Sequence, residues 1–217
     1  MDKTVKTIEA YNLTAEDFEK KFMDLKLYRQ SLDYFIELLS PGSRVLDLGC
    51  GPGNIARLLM DSRKEFKVNG IDLSGEMVRR AVKNVPGANF SVGDIRMFEK
   101  RPGEYDAIVA AFCLPHLTYK EAGDLLKDIG LILKTGGHVY LSCMEGKKSG
   151  FEFTSFSPEK EIFFNYYSRS FLGKALLDSG LEVIEFFRQE YPEPGGGITM
   201  EMIFIAQKPN PDILHCK

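Results

Sequence analysis

The sequence predicts an α/β fold: a Rossmann-like, doubly wound sheet of seven strands, mostly parallel with an antiparallel C-terminal hairpin strand, preceded by two helices. Three observations lead there. Short apolar, β-branched runs alternate with longer amphipathic ones between residues 44 and 142, which is the pattern of βαβ units joined by right-handed crossovers. One apolar run passes directly into a glycine-rich turn, Val45-Leu-Asp-Leu-Gly-Cys-Gly-Pro-Gly-Asn54. The last two strand-like runs have no helix between them, so they pair as a hairpin or lie side by side antiparallel.

In chain order, Thr14-Ala-Glu-Asp17 has the form of a capping box, which predicts a helix from about Ala15. Phe18, Phe22 and Leu25 recur at helical spacing, as do Leu32, Phe35, Ile36 and Leu39 before Ser40-Pro41-Gly42 stops the run. Strands are expected at Arg44 to Leu48, Lys67 to Asp72, Ala88 to Val92, Tyr105 to Ala111 and Gly137 to Ser142. Helices fall between them at Asn54 to Arg63, Ser74 to Lys83, with Ser74 as N-cap, and Tyr119 to Leu133. A Gly/Lys/Phe-rich segment follows, then a helix from Ser170 to Ser179 closed by Gly180, and strands Leu181 to Glu190 and Met200 to Gln207. The breaker cluster Pro192-Glu-Pro-Gly-Gly-Gly197 is the turn between those strands.

A length of 217 residues with 44% apolar composition suits one domain and is short for two. Its parts are an N-terminal helical lid (1–40), a ligand-binding core (44–142) and a substrate-side segment with the final hairpin (143–217). The net charge of −3 is spread without a basic block, so neither nucleic acid nor an anionic membrane is an expected partner. Cys50, Cys113, Cys143 and Cys216 form no CxxC pair and no metal-ligand cluster accompanies them, which reads as reduced thiols, no metal and a cytoplasmic protein; a monomer or homodimer is expected, the sequence not deciding between them. The stretch MDKTVKTIEAYNL lacks the apolar core of a secretory signal, and no later window has the uncharged apolar length to cross a bilayer, so a soluble protein inside the cell is expected.

The chemistry is concentrated at the glycine turn. Gly49, Gly51 and Gly53 let a ligand touch backbone that side chains would cover, at the carboxyl end of the first strand where open α/β sheets bind ligands. Their GxGxG spacing departs from the GxGxxG that cradles a dinucleotide pyrophosphate, so a phosphate-free nucleoside fits better. Asp72, ending the second strand in Gly70-Ile-Asp-Leu-Ser74, can accept hydrogen bonds from ribose hydroxyls.

VLDLGCGPGN resembles the first motif of class I S-adenosylmethionine-dependent methyltransferases, and the later motifs follow in the family's order from Val45 to Ser142. The resemblance implies S-adenosyl-L-methionine as cofactor and a cofactor site of Asp47, Gly49, Cys50, Gly51, Gly53, Asp72, Leu73, Met77, Gly93, Asp94 and Ile95. Asp72 would hold the ribose, Met77 would pack on adenine, Asp94 would receive the adenine amino group, the Ile95 N–H would reach a ring nitrogen, and Asp47 would order the glycine loop. Leu133-Lys-Thr-Gly-Gly137 is similar to the family's LKPGG turn with Thr135 in place of proline. Tyr11 and Tyr28, flanking the expected first helix, are candidates for a lid over the cofactor. The flanks resemble small-molecule methyltransferases of the quinone and metabolite type, so a small acceptor is expected.

His116, after the fourth strand in Phe112-Cys-Leu-Pro-His116, is the candidate general base, beside the reading that it is a hydrogen-bonded loop histidine; His138 and His215 read as structural or solvated. Cys50 reads as small rather than nucleophilic. The rings of the Gly150-Phe156 and Ile162-Tyr167 stretches suggest an acceptor pocket, with sheet cover or a subunit contact as the alternative. Two other functions remain: a non-enzymatic protein that binds S-adenosylmethionine or its demethylated product, and a nicotinamide-dependent oxidoreductase.

Overall fold

The computed structural model describes residues 2–193 and 196–210. Its main sheet has seven strands: β1 (Arg44–Leu48), β2 (Lys67–Asp72), β3 (Asn89–Val92), β4 (Tyr105–Ala111), β5 (Leu133–Met144), β8 (Glu182–Pro192) and β9 (Ile198–Gln207). They are ordered β3-β2-β1-β4-β5-β9-β8. The pairs among β1 to β5 are parallel, and β9 runs antiparallel to both neighbours, as expected. β6 (Ser149–Thr154) and β7 (Ser157–Asn165) form a separate hairpin.

Strand β4 shows why the sheet is buried on both faces. Ile108 and Ala110 pack on one side with Leu125, Leu126 and Ile129 of α5 (Tyr119–Ile132) and Leu172 and Leu176 of α6 (Arg169–Asp178). Ala107 and Val109 point the other way, towards Leu32 and Phe35 of α2 (Arg29–Leu38) and Ile55 and Leu59 of α3 (Asn54–Asp61). This period-two alternation of wholly apolar residues is what a strand covered by helices on both faces requires.

The N-terminal helix differs from the expectation. α1 spans Lys3–Phe22, capped by Asp2, whose side chain accepts from Thr4 N. Thr14 lies mid-helix, and its hydroxyl donates to the Ala10 carbonyl at 2.8 Å rather than capping anything. A Thr-x-x-Asp spacing is satisfied equally well inside a helix, where the hydroxyl bonds back four residues. At α4 (Gly75–Asn84) the expected cap is present, with Ser74 accepting from Met77 N.

The second departure is the segment after β5, where sequence reading placed no strand. Glu152, Lys160 and Glu161 interrupt its apolar alternation, while Phe156, Ile162, Phe164 and Tyr166 pack with Ala10 of α1. The β8–β9 turn has residues 194 and 195 outside the described set, as are His215 and Cys216. Register places this turn beside the end of β5: Met144 pairs with Glu201, and Pro192 with Ile198. Among the described residues no helix is long and apolar enough to cross a membrane.

Candidate active site

The carboxyl ends of β1, β2 and β4 open onto a narrow cavity of about 140 Å³, with Thr4, Thr7, Ile8, Tyr11 and Phe18 of α1 as its other wall. The glycine loop is held from β2. Gly49 N and Cys50 N both donate to the Ile71 carbonyl, at 2.8 and 3.1 Å, and Gly51 N donates to Asp72 Oδ2 at 2.9 Å. Gly49 has φ +71°, and a Cβ there would lie 2.6 Å from Cys113 Cβ, so only glycine fits.

This corrects the expected part of Asp47. The loop amides are taken by Ile71 and Asp72, so the acid that orders the loop is Asp72. Asp47 lies under it, 2% exposed, with Oδ2 lacking a hydrogen-bond partner among the described residues. Burial, and then the neighbouring charge of Asp72, push its pKa up to about 7. A buried oxygen without a partner is unfavourable unless a bound group completes it, and Asp47 is part of the cavity lining.

Asp47, Gly49, Gly51, Asp72, Leu73, Met77, Asp94 and Ile95 all line this cavity. Asp72 Oδ1 accepts from Ser74 N at 2.8 Å, and burial raises its pKa although its backbone bonds oppose the rise. Asp94 is gripped by Arg96, whose Nε and Nη2 reach Oδ1 and Oδ2 at 2.9 and 2.6 Å. That bidentate bond holds the carboxylate below its usual range, so it stays ionised. Arg96 also bonds Glu121 at 2.6 Å, and Lys3 of α1 bonds the same Glu121 at 2.9 Å. Sequence reading missed Arg96; its only signal is a cation two residues after the motif acid.

Three expected residues frame the cavity without lining it. Cys50 is 2% exposed with its thiol pKa raised by burial, so it is no nucleophile. Gly53 abuts Ala81 of α4 and Val85 just past its end, and Gly93 abuts Ile71. Their part is packing.

A second cavity of about 340 Å³ adjoins the first, within the range of small-molecule sites. Tyr11, Phe18, Asn54, Phe112 and His116 line both. The larger cavity is walled by α1, the β6–β7 hairpin and the β8–β9 turn, with Phe22, Phe153, Phe156 and Phe164 among its rings. Phe112, between the cavities, has φ +59°, a conformation costly for an aromatic residue, and its N–H donates to Ser142 Oγ at 3.1 Å. The strained turn aims its ring at the junction, a feature with no sequence signal.

At that junction His116 Nδ1 lies 2.9 Å from the Phe163 carbonyl and Nε2 lies 3.0 Å from the Tyr11 hydroxyl. A carbonyl only accepts, so Nδ1 carries the proton and Nε2 accepts from Tyr11. Burial, with a smaller contribution from Lys3, lowers the imidazole pKa to about 4 despite the Phe163 bond. His116 is therefore neutral and tied at both nitrogens, which fits the hydrogen-bonded loop histidine better than a free base.

The two tyrosines part company. Tyr11 lies within α1 rather than flanking it, and lines both cavities. Tyr28 is absent from the cofactor-side wall: it lines only the larger cavity, where its hydroxyl donates to Glu201 at 3.0 Å. The unexpected length of α1 is the reason, since it places Tyr28 a full helix away from Tyr11. Asn12, one residue past Tyr11, instead accepts from the Ser74 hydroxyl at 2.7 Å and fastens α1 to α4.

This arrangement defines a class: a doubly wound domain with a glycine-loop nucleoside site and an adjoining cavity. A methyltransferase-domain family model matches residues 20–186. The chain belongs to that family, the class I S-adenosylmethionine-dependent methyltransferases, as the motif resemblance implied. It is 30% identical over 136 residues to a methyltransferase of Invertebrate iridescent virus 6, covering 62% of this chain and 49% of that protein. The chain thus spans about half the length of that relative. Among solved structures, 1,6-didemethyltoxoflavin-N1-methyltransferase of Burkholderia thailandensis superposes with TM-score 0.72 at 17% identity, over 95% of this chain and 89% of that one. A cyclase, SpnF, superposes with TM-score 0.65 at 18% identity, over 83% of this chain and 80% of that one. At such identities the likeness is one of fold.

Proposed function

We propose that the protein transfers the methyl group of S-adenosylmethionine to a small molecule held in the larger cavity. The observation that carries this reading is the shared wall of Tyr11, Phe18, Asn54, Phe112 and His116, which brings two compartments onto one junction. A protein that only sensed the cofactor would need no second compartment.

The residues present fit the cofactor. Asp47 Oδ2 offers an unpartnered acceptor for a cationic or N–H group, Gly49 and Gly51 expose backbone, and Asp72 retains lone pairs for hydroxyls beyond its two backbone bonds. Met77 and Ile95 supply apolar surface and Asp94 an ionised acceptor. The bound cofactor supplies an activated methyl on a sulfonium, which a nucleophile displaces directly. What remains for the chain is alignment and exclusion of water, and alignment alone can contribute roughly 7 to 11 kcal/mol. Within this reading Tyr11 touches the reacting centre and His116 is a positioning residue, fixing the Tyr11 hydroxyl through Nε2 while Phe163 fixes the ring.

The fold of SpnF, a cyclase, illustrates that such a sheet need not transfer methyl groups. The test is product analysis: incubation with methyl-labelled cofactor and fractionated small-molecule extract should yield label in an acceptor with stoichiometric demethylated cofactor. Binding of cofactor with no label transferred to any fraction would leave a cofactor-binding protein, and a nicotinamide absorbance change would revive the oxidoreductase reading.

A further inference from the structure

We propose that the acceptor is a ring-bearing, otherwise apolar molecule with a positive charge separate from its methylated atom, selected by the carboxylates of the larger cavity, Glu201 foremost. This rests on the methyl-transfer reading, which fixes the reacting end at the wall shared with the cofactor cavity. Tyr28, Tyr191, Glu193, Thr199 and Glu201 line the larger cavity and not the smaller, with the Tyr28 ring 4.8 Å from that of Phe112 in the shared wall.

The charge there is one-sided. Among the described residues Asp24, Glu152, Glu193 and Glu201 face the cavity against one lining cation, Lys148; Asp24 is paired with Lys26 at 2.7 Å and Glu152 with Lys148 at 3.0 Å, which leaves Glu193 and Glu201 without a paired cation. Lys21 of α1 is held on the Ser155 hydroxyl. Glu201 is 3% exposed, and its partners are both neutral: Tyr28 donates to Oε1 at 3.0 Å and Gln189 to Oε2 at 3.1 Å. Each carboxylate oxygen can accept a second bond, so half its capacity is open. Burial raises its pKa while the Tyr28 and Gln189 bonds oppose the rise, the state of a buried carboxylate with no counter-charge.

A cation entering beside it would supply that charge, and the faces of Tyr28 and Tyr191 would add to its attraction. A carboxylate or phosphate would meet like charge beside the buried Glu201. Among the described residues no group of three or more histidines, cysteines or acids is placed to hold a metal ion, which leaves an organic cation as the charge partner. The rings of Phe22, Phe156 and Phe164 suit its apolar body.

The test uses three probes of one body, 4-phenylbutylamine, 4-phenylbutanol and 4-phenylbutyrate, titrated calorimetrically into protein with and without S-adenosylhomocysteine. The amine should bind at least about tenfold more tightly than the carboxylate. Glu201→Gln should reduce that preference to within about threefold and leave the alcohol unchanged. Glu193→Gln, at the turn, should reduce it by a smaller factor and decides the matter if Glu201→Gln does not fold, as judged by melting. Equal or tighter binding of the carboxylate, no amine binding at millimolar concentration, or an unaltered preference in a folded variant overturns the proposal. Failure to bind S-adenosylhomocysteine would sink the methyl-transfer reading instead, while the amine-to-carboxylate ratio of the unloaded protein still decides the charge preference.

Discussion

Asp47→Asn should make the cofactor-free protein more stable at pH 8 and weaken its grip on the cofactor. Burial and Asp72 raise the Asp47 pKa from 3.8 to about 7. Every tenfold change in an acid constant between the unfolded and folded chain is worth about 1.4 kcal/mol, so this roughly thousandfold change amounts to about 4 kcal/mol. At 2% exposure there is no solvent to screen it. The sign follows from proton uptake. Below pH 3.8 both folded and unfolded chains hold the proton and the acid has no effect; between 3.8 and about 7 only the folded chain holds it, and stability falls as pH rises; above 7 the loss is complete. Asparagine keeps the shape without the charge, and Oδ2 has no partner to lose. Melting curves from pH 4 to 8.5 should coincide at the acid end and separate by on the order of 10 °C above pH 7. Saturating S-adenosylhomocysteine should shrink the gap, because a bound partner stabilises the wild type more. A gap independent of pH, or a variant less stable at pH 8, would refute the reasoning.

Tyr11→Phe should lower kcat with little change in cofactor affinity, and His116→Gln should do the same by releasing Tyr11, each by roughly 10- to 100-fold. Because the His116 pKa lies near 4, the wild-type rate should show no inflection near pH 6.5; one that vanished in His116→Gln would restore the general-base reading. Tyr167→Phe should lower stability by about 2 kcal/mol without touching either cavity, since the buried hydroxyl serves the Leu114 and Leu117 carbonyls, at 3.0 and 2.8 Å, that fix the turn carrying His116; an unshifted melting temperature would contradict this. Phe153→Ala should raise acceptor KM alone, because Phe153 lines the cavity yet is 63% exposed, whereas Phe156→Ala, at 7% exposed amid Tyr11, Phe18 and Phe22, should also lower stability by about 3 kcal/mol; identical melting temperatures would remove the distinction.

The parallel core was legible because period-two apolar strands and amphipathic helices are local patterns, and β1 to β4 lie within a residue of their expected bounds. The glycine loop was legible for a similar reason: φ +71° and a 2.6 Å approach at Gly49 admit one residue type. What escaped depends on contacts distant in sequence. The β6–β7 hairpin owes its inner face to α1, a partner more than a hundred residues away, as the Phe163 N–H to Thr7 bond illustrates. Arg96 gains its place from Glu121, Phe112 its turn from Ser142, and Glu201 its burial from pairing beside Met144. The capping-box reading failed because a hydroxyl spacing cannot distinguish a helix start from its interior.

The proposed activity turns on the cofactor, and calorimetric titration of S-adenosylmethionine and S-adenosylhomocysteine into wild-type protein and Asp72→Ala tests it most directly. Asp72 both holds the loop through Gly51 and faces the cavity. The expected result is micromolar binding of both ligands to wild type and a loss of at least about a hundredfold in the variant, with its far-ultraviolet circular dichroism unchanged. No binding to well-folded wild type, or equal binding to the variant, would contradict it.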